Sequence, residues 1–538
     1  MTSTRLRLAA GAAVLALALT ACSGGSDSDD QASAGTSDGG GGAIRIAVTD
    51  PVKLIPGRQD IAFDFAMAVW APLTWVDDTG ELSYVAAESV ESDDATTWTI
   101  TLRDGWTFHD GTPVTAQSYV DSWNAVAYGP NAWENTGQLA NIAGYADLNV
   151  TEGEPATEMS GLTVVDDTTF TVELTGPDGQ FPMQLSQAQT AFYPMPESAF
   201  EDFDAYNTHP VGNGPFEVAT DYAENEEMTT TAFADYQGPA PTVDEITFVP
   251  YTDTTTAYTD VQAGNIDVAG VPVARQTQAA ADFGDRLYSF EAAGISYLGL
   301  PLWDARYGDV RVRQAISMAI DRDTINDVIY GGLFTPATAL TPAVEPGTPE
   351  GICGEFCEYD PDAAKALLEE AGGFDGTIDI YYPGGSGMDE LYTAIANQLR
   401  QNLGVDAVAT PSTDWAEFAE NRTAGTIEGP FFSRWGALYP SQQNTLRAFY
   451  VDGGGCPNCI PYYEQDVADL IAAADAETEA AAAADAYAAV QERIIEDFPA
   501  PPLFFETYSY VTSERVAELP TSAVGNPTYT AVVLAEDA

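Results

Sequence analysis

Residues 98–123, WTITLRDGWTFHDGTPVTAQSYVDSW, restrict the fold more than any other part of the chain. Trp98, Ile100 and Leu102 alternate with Thr99, Thr101 and Arg103, the two-residue period of a strand buried on one face. Asp104-Gly105 is a hairpin turn signal and predicts residues 106–108 as the returning strand. His109-Asp110-Gly111-Thr112-Pro113 makes a second tight turn. Thr115 is then placed to cap a helix carrying Tyr119, Val120 and Trp123 on one face. The spacing describes scaffold rather than a reaction centre.

Elsewhere strand and helix patterns alternate, as they do in α/β lobes. Short alternating runs predict strands at 44–48, 169–174, 216–218, 244–250 and 265–271, with a helix at 254–263. Residues 60–75 mix a helical pattern with aromatics, and 287–300 is a strand-like run broken at Gly294. Asp360 is a helix cap with Pro361 at the first helical position. Residues 466–497 read as one Ala- and acid-rich helix, followed by a proline-rich strand start at 499–505.

The N-terminal residues carry an address. Arg5 and Arg7 precede an apolar run, 8–19, that is too short for a stable membrane span and has the form of a signal peptide. Leu19-Thr20-Ala21-Cys22 resembles a bacterial lipobox, so cleavage would leave Cys22 as a lipidated first residue anchoring the chain to a membrane. The alternative is a plain secretory signal with an incidental Cys. Residues 23–42 are Ser, Gly and Asp with almost no apolar content and read as a flexible tether, reaching roughly 25 Å. The 82 acidic against 19 basic residues give a formal net charge of -63. That field repels phosphates and anionic lipids, so nucleic-acid and membrane-surface binding are excluded as functions of the folded part.

Several motifs carry a family resemblance. The Phe-His-Asp-Gly-Thr-Pro-Val-Thr-Ala segment at 108–116 follows a strand, an Arg and an Asp-Gly turn, and ELSYVAAES at 81–89 leads into it. Pro210-Val211-Gly212-Asn213-Gly214-Pro215-Phe216, the helix containing Arg313-Gln314-Ala315, Ile320-Asp321-Arg322, and Gly331 through Pro336-Ala337 follow in order. Together they resemble the family 5 extracellular solute-binding proteins, the dipeptide and oligopeptide receptors of ABC importers. The resemblance implies an α/β, two-lobed periplasmic-binding-protein-like fold of type II with an accessory subdomain in lobe one. It implies a signal peptide at 1–21, lipidated Cys and tether at 22–43, lobe I at 44–293 with its accessory subdomain at about 82–195, lobe II at 294–502, and a return to lobe I at 503–538. The expected function is non-enzymatic: a monomeric, lipid-anchored receptor on the extracellular face of the cell membrane that hands a solute to ABC permease subunits. No cofactor or metal is expected.

Catalytic readings have little to stand on. A base titrating near neutrality is needed for nucleophilic chemistry, and the only histidines, His109 and His209, lie in structural turns. A secreted hydrolase and a purely structural surface protein are the readings from other classes. Cys353, Cys357, Cys456 and Cys459 read as disulfides in an exported protein, most simply as two local loops, with cross-pairing, a zinc site or a redox-active pair as alternatives.

The ligand question turns on Arg434-Trp435-Gly436-Ala437-Leu438-Tyr439-Pro440, which resembles the family's Trp-x-x-Asp-Tyr-Pro cleft segment. The resemblance implies that the Asp of peptide-binding relatives meets the ligand's ammonium group; here that position is Leu438. A loop matching Gly384-Gly385-Ser386-Gly387 likewise lacks the Arg that dipeptide receptors place against the ligand carboxylate. The expected contacts are therefore aromatic and polar: Trp435, Tyr439, Arg434, Tyr297, Trp133, Trp70 and Asn213. An oligopeptide held as an added strand is the first expectation; an uncharged ligand such as an oligosaccharide is second, and a metal complex third.

Overall fold

A computed structural model describes residues 41–59, 63–150 and 152–536. The signal peptide, Cys22 and all but the last residues of the tether lie outside the described residues. Among the described residues no helix is long and apolar enough to cross a membrane.

The chain opens with β1 (Ala43–Val48), followed by the small pair β2 (Thr74–Val76) and β3 (Leu82–Tyr84). Next come β4 (Ala87–Glu91), β5 (Thr97–Leu102), β6 (Leu162–Val164) and β7 (Thr169–Glu173). Then follow β8 (Phe216–Val218), β9 (Met228–Ala232), β10 (Glu245–Pro250), β11 (Val268–Gly270) and the long β12 (Leu287–Gly299). The second half supplies β13 (Thr335–Pro336), β14 (Thr377–Tyr382), β15 (Asp406–Pro411), β16 (Phe431–Gly436) and β17 (Pro502–Thr512). The large sheet has the order β15-β14-β16-β12-β17-β11-β1-β10-β9-β8, with β13 added on β17.

Two strands carry this sheet from one lobe to the other. Residues 287–291 of β12 pair with 507–511 of β17 in lobe I; after a register break, 295–297 pair with 502–505 and 294–299 pair with β16 in lobe II. Gly294 sits at the break because a Cβ there would lie 2.8 Å from Glu506 Oε2. A fold so connected is the two-lobed α/β architecture.

Lobe I and the accessory sheet β4-β5-β7-β6 share one apolar core, which joins Ile44, Phe65 and Val268 to Ile100, Trp123 and Phe170. Lobe II has two cores, one around Ile316, Ile378 and Phe431, the other around Leu446, Phe449, Ile471 and Tyr487. The alternation at 98–102 is realised: Trp98, Ile100 and Leu102 are buried and β5 is interior to its sheet. Thr115 caps helix Ala116–Ala127 in a reciprocal box with Ser118.

Two local expectations are corrected. Residues 106–108 do not return along β5, whose two sides are taken by β4 and β7. They fold back on 112–114 instead, Phe108 N–H donating to Thr112 O and Val114 N–H to Trp106 O. The helix expected over 466–497 is two helices, Gln465–Asp475 and Ala480–Asp497. The break lies where the accessory subdomain presses in: Gly179 N–H donates to Asp475 O at 2.6 Å, and Glu477 O occupies the position of a Gly179 Cβ.

His109 is structural. Its Nδ1 accepts from Gly212 N–H at 3.2 Å and its Nε2 lies 3.1 Å from Gly214 O, which fixes the proton on Nε2. Burial pushes the imidazole down to about 4. The ring thus pins a glycine loop that must run close to the Val69 and Trp70 backbone: a Cβ on Gly212 would fall 1.9 Å from Val69 O.

Candidate ligand cleft

The segment read as the ligand contact lies at the end of β16, where lobe II meets the crossing strands. β14 pairs with β16 only at Phe431, whereas β12 follows β16 as far as Gly436. Residues 432–436 therefore have β12 on one side and no paired strand on the other; Phe432 and Ser433 are buried there and 434–436 are half-buried. β14 ends at Tyr382 and gives way to the loop Gly384 to Gly387, where Gly384 packs too closely on Ser412 O to admit a side chain.

Arg434 does not stand free in this cleft. Its Nε lies 2.8 and 2.9 Å from the two Glu506 carboxylate oxygens, its Nη2 is 2.6 Å from Oε2, and Nη2 also donates to Tyr508 Oη at 2.9 Å. The Glu506 carboxylate holds the guanidinium firmly charged. Tyr508 and Tyr510 pair directly with Phe290 and Tyr288 across β12, so the four rings share one face of the crossing strands. Tyr288 and Phe290 line a cavity of about 900 Å³ in lobe I together with Trp70, Trp75, Tyr84 and Arg103.

Trp435 is part-buried and oriented by Asn444. Its Nε1 donates to Asn444 Oδ1 at 2.7 Å, and the same oxygen accepts from Leu438 N–H at 3.3 Å. Its ring packs edge-on to Phe449, with centroids 6.3 Å apart. Behind it runs the loop ending at Cys456, where a Gly455 Cβ would meet Trp435 Cη2 at 2.7 Å. The cysteines come together locally, Cys353 with Cys357 and Cys456 with Cys459, at Cα separations of 5.6 and 5.5 Å. Among the described residues no group of His, Cys, Asp and Glu is placed to hold a metal ion.

The remaining expected contacts lie in the interior of the two lobes. Tyr297 is fully buried in lobe II with its hydroxyl on Leu340 O. Tyr439 is buried and donates to Gln443 Oε1 at 2.8 Å. Trp133 packs edge-on to Phe203 at 4.9 Å and fills the space beside Gly57. Asn213 is buried and accepts from Ala71 N–H at 3.1 Å, clamping the turn that follows Val69. Trp70 stacks on Tyr193 and reaches the lobe I cavity only at its edge. Arg434 and Trp435 alone of the seven stand together at the lobe boundary.

Three partners of Arg434 and Trp435 escaped the sequence reading. Glu506 and Tyr508 lie 72 and 74 residues beyond Arg434, and only the alternation Glu506-Tyr508-Tyr510 on one strand face hints at them. Asn444 is an ordinary polar residue in a helix. Asp64, on helix Phe63–Val69, is part-exposed; burial pushes its carboxyl up to about 7, and it acts electrostatically on Tyr510 and Tyr529.

Comparison with known proteins agrees with this architecture. Residues 81–455 match the family described as bacterial extracellular solute-binding proteins, family 5. The periplasmic murein peptide-binding protein MppA of Escherichia coli is 28% identical over 445 residues, covering 79% of this chain and 80% of that protein. The periplasmic oligopeptide-binding protein OppA of Salmonella typhimurium is 28% identical over 448 residues, 80% of each. Among solved structures, the clavulanic acid biosynthesis oligopeptide binding protein 2 superposes with a TM-score of 0.81 at 21% identity, covering 92% of this chain and 96% of its own.

Proposed function

The chain belongs to the family 5 bacterial extracellular solute-binding proteins, which are substrate-binding proteins and not enzymes, and we propose that it captures an extended oligopeptide between its lobes and delivers it to ABC importer permease subunits. The observation that carries this reading is the unpaired edge of β16 beyond Phe431, which is half-exposed at 434–436. An extended peptide laid there gains main-chain hydrogen bonds as an added strand, and its side chains project alternately to the two sides. The relatives' names, murein peptide-binding and oligopeptide-binding, support the same class of ligand.

Leu438 leaves the cleft segment without a carboxylate, and Arg434 is already paired with Glu506. Recognition through terminal charges is thereby weakened in favour of main-chain contacts. The ligand wall comprises Trp435 and Arg434 on lobe II with Tyr508 on the crossing strand; Tyr297 and Tyr439 share the partners Phe449 and Asn444 with Trp435, while Trp133, Trp70 and Asn213 lie within lobe I. A second reading, an oligosaccharide or other uncharged ring-bearing solute, is favoured by one observation, the aromatic lining of the lobe I cavity by Trp75, Tyr84, Tyr288 and Phe290.

Anchoring through a lipidated Cys22, monomeric action at the extracellular face of the membrane, disulfides at Cys353–Cys357 and Cys456–Cys459, and lobe boundaries close to 294 and 503 complete the proposal. Native mass spectrometry of the purified protein, followed by thermal shift with peptide and sugar panels, tests it. Co-purifying peptides and peptide-dependent stabilisation are expected. Stabilisation by sugars alone would replace the first reading with the second.

A further inference from the structure

Away from the β16 edge, the accessory subdomain and lobe II meet through a buried polar cluster. Asp178 and Asp475 are each 1% exposed and Gln443 is fully buried. Asp178 lies on the segment after β7, in the part of the chain whose apolar side joins the lobe I core; Gln443, Arg447 and Asp475 lie on lobe II helices. The Gln443 amide nitrogen donates to Asp178 Oδ1 at 2.8 Å and to Asp475 Oδ1 at 2.9 Å. Its carbonyl oxygen accepts from Gln184 Nε2 at 3.0 Å and from Tyr439 Oη at 2.8 Å. Two of its four hydrogen bonds thus go to the accessory subdomain and two to lobe II.

Arg447 completes the set. Its Nη2 and Nε lie 2.6 and 2.8 Å from Asp475 Oδ2, and its Nη1 is 3.5 Å from Asp178 Oδ2. Beside the cluster, Ser441 Oγ donates to Gln180 Oε1 at 3.1 Å and Gly179 N–H donates to Asp475 O at 2.6 Å. Buried polar groups are tolerable only when all are partnered, and a half-satisfied network is strongly unfavourable. Separation of the accessory subdomain from lobe II would leave Gln443 half-bonded and Asp178 without its lobe II donors. In contact every member is partnered within the protein; apart, Asp178 keeps only Gln180 N–H, Gln184 and Asn141, and water replaces the shared bonds.

We propose that the Asp178–Gln443–Asp475–Arg447 cluster is an interlobe latch, a third connection beside the two crossing strands, which holds the accessory subdomain against lobe II and sets the resting balance between open and closed forms. The latch is tied to the ligand segment by adjacency: Gln443 faces the accessory subdomain, and its neighbour Asn444 holds Trp435 and Leu438. One helix, Gln442–Tyr450, therefore carries both contacts. Displacement of the cleft segment by a ligand is felt at the latch within a single residue step. A ligand acts on such an equilibrium only through its different affinity for the two forms, and the latch fixes how far the equilibrium is already tilted. The inference rests on the two-lobed fold and not on the identity of the solute.

The test is small-angle X-ray scattering of the ligand-free, full-length folded protein, comparing wild type with Gln443→Ala and with the milder Gln180→Ala, each first checked for a cooperative thermal transition. A larger radius of gyration is expected for Gln443→Ala and a smaller increase for Gln180→Ala. Should Gln443→Ala not fold, Gln180→Ala decides. Scattering profiles identical to wild type in the folded variants would overturn the latch, leaving the cluster as an immobile part of one rigid body, whatever solute the cleft takes.

Discussion

Arg434 reaches from β16 across the break in the crossing strands and closes on Glu506, with three nitrogen–oxygen contacts of 2.6 to 2.9 Å. Glu506 is 8% exposed, while about a third of the Arg434 side chain reaches solvent. The pair joins β16 to β17 beside the register break of the crossing strands. Replacing Glu506 by Gln leaves a guanidinium without its counter-charge at a largely enclosed position. Stability should fall by about 2 kcal/mol, between the values for exposed and for fully buried pairs because Arg434 keeps a solvent contact. Urea unfolding measures it, and an unchanged midpoint would show that the pair contributes nothing at this site.

Trp435→Ala removes the aromatic ring proposed to meet the ligand, together with the hydrogen bond to Asn444. Ligand affinity should drop at least tenfold, or about 1.4 kcal/mol, while circular dichroism and cooperative melting persist. Wild-type affinity in calorimetric titration would take Trp435 out of the binding wall.

His109 gives a pH signature. Its folded pKa is pushed from 6.5 to about 4 by burial, so between those values the unfolded chain takes up a proton that the folded chain refuses. The His109 contribution is fully present above about 6.5 and is lost as pH falls towards 4. His109→Asn should flatten that part of the stability profile; a slope identical to wild type between pH 4.5 and 6.5 would contradict the buried neutral ring.

Asp64 works in the opposite sense. Burial raises its carboxyl from 3.8 to about 7, so the folded protein keeps a proton that the unfolded chain releases. Its stabilising contribution is present below 3.8 and disappears as pH rises through 7. Asp64→Asn should therefore gain stability relative to wild type as pH is raised from 5 to 8. Parallel profiles over that range would refute the shift.

Reduction of the Cys456–Cys459 link should loosen the loop behind Trp435 and weaken ligand binding more than global stability, because so short a loop constrains the unfolded chain little. Peptide mapping under non-reducing conditions should recover both local pairs. A cross-link between the 353–357 and 456–459 segments would exclude this arrangement.

Local chemistry was legible in the sequence wherever a short-range pattern determines it. The alternation from Trp98 to Leu102, the Thr115 cap, Asp360 with Pro361 and the interruption at Gly294 each concern residues within a turn or two of one another. The returning strand at 106–108 was misread because nothing local states that β7, some 70 residues later, takes that side of β5. The helix break after Asp475 depends on Gly179, about 300 residues earlier. The site suffered most from the same cause. Aromatics such as Tyr297 and Trp133 look alike in sequence whether they face a ligand or a core, and Glu506 becomes visible as the partner of Arg434 only once two distant strands stand side by side.

The unpaired edge of β16 also bears on how such a receptor avoids sticking to itself. An unpaired strand edge is a template for any extended chain, another copy of the receptor included. Here the half-exposed part of that edge is only residues 434–436, beside the crossing strands, so it offers a second folded molecule too little backbone for a whole strand. The same shortness limits what a second copy can pair with, and a formal charge of -63 keeps neighbouring copies apart.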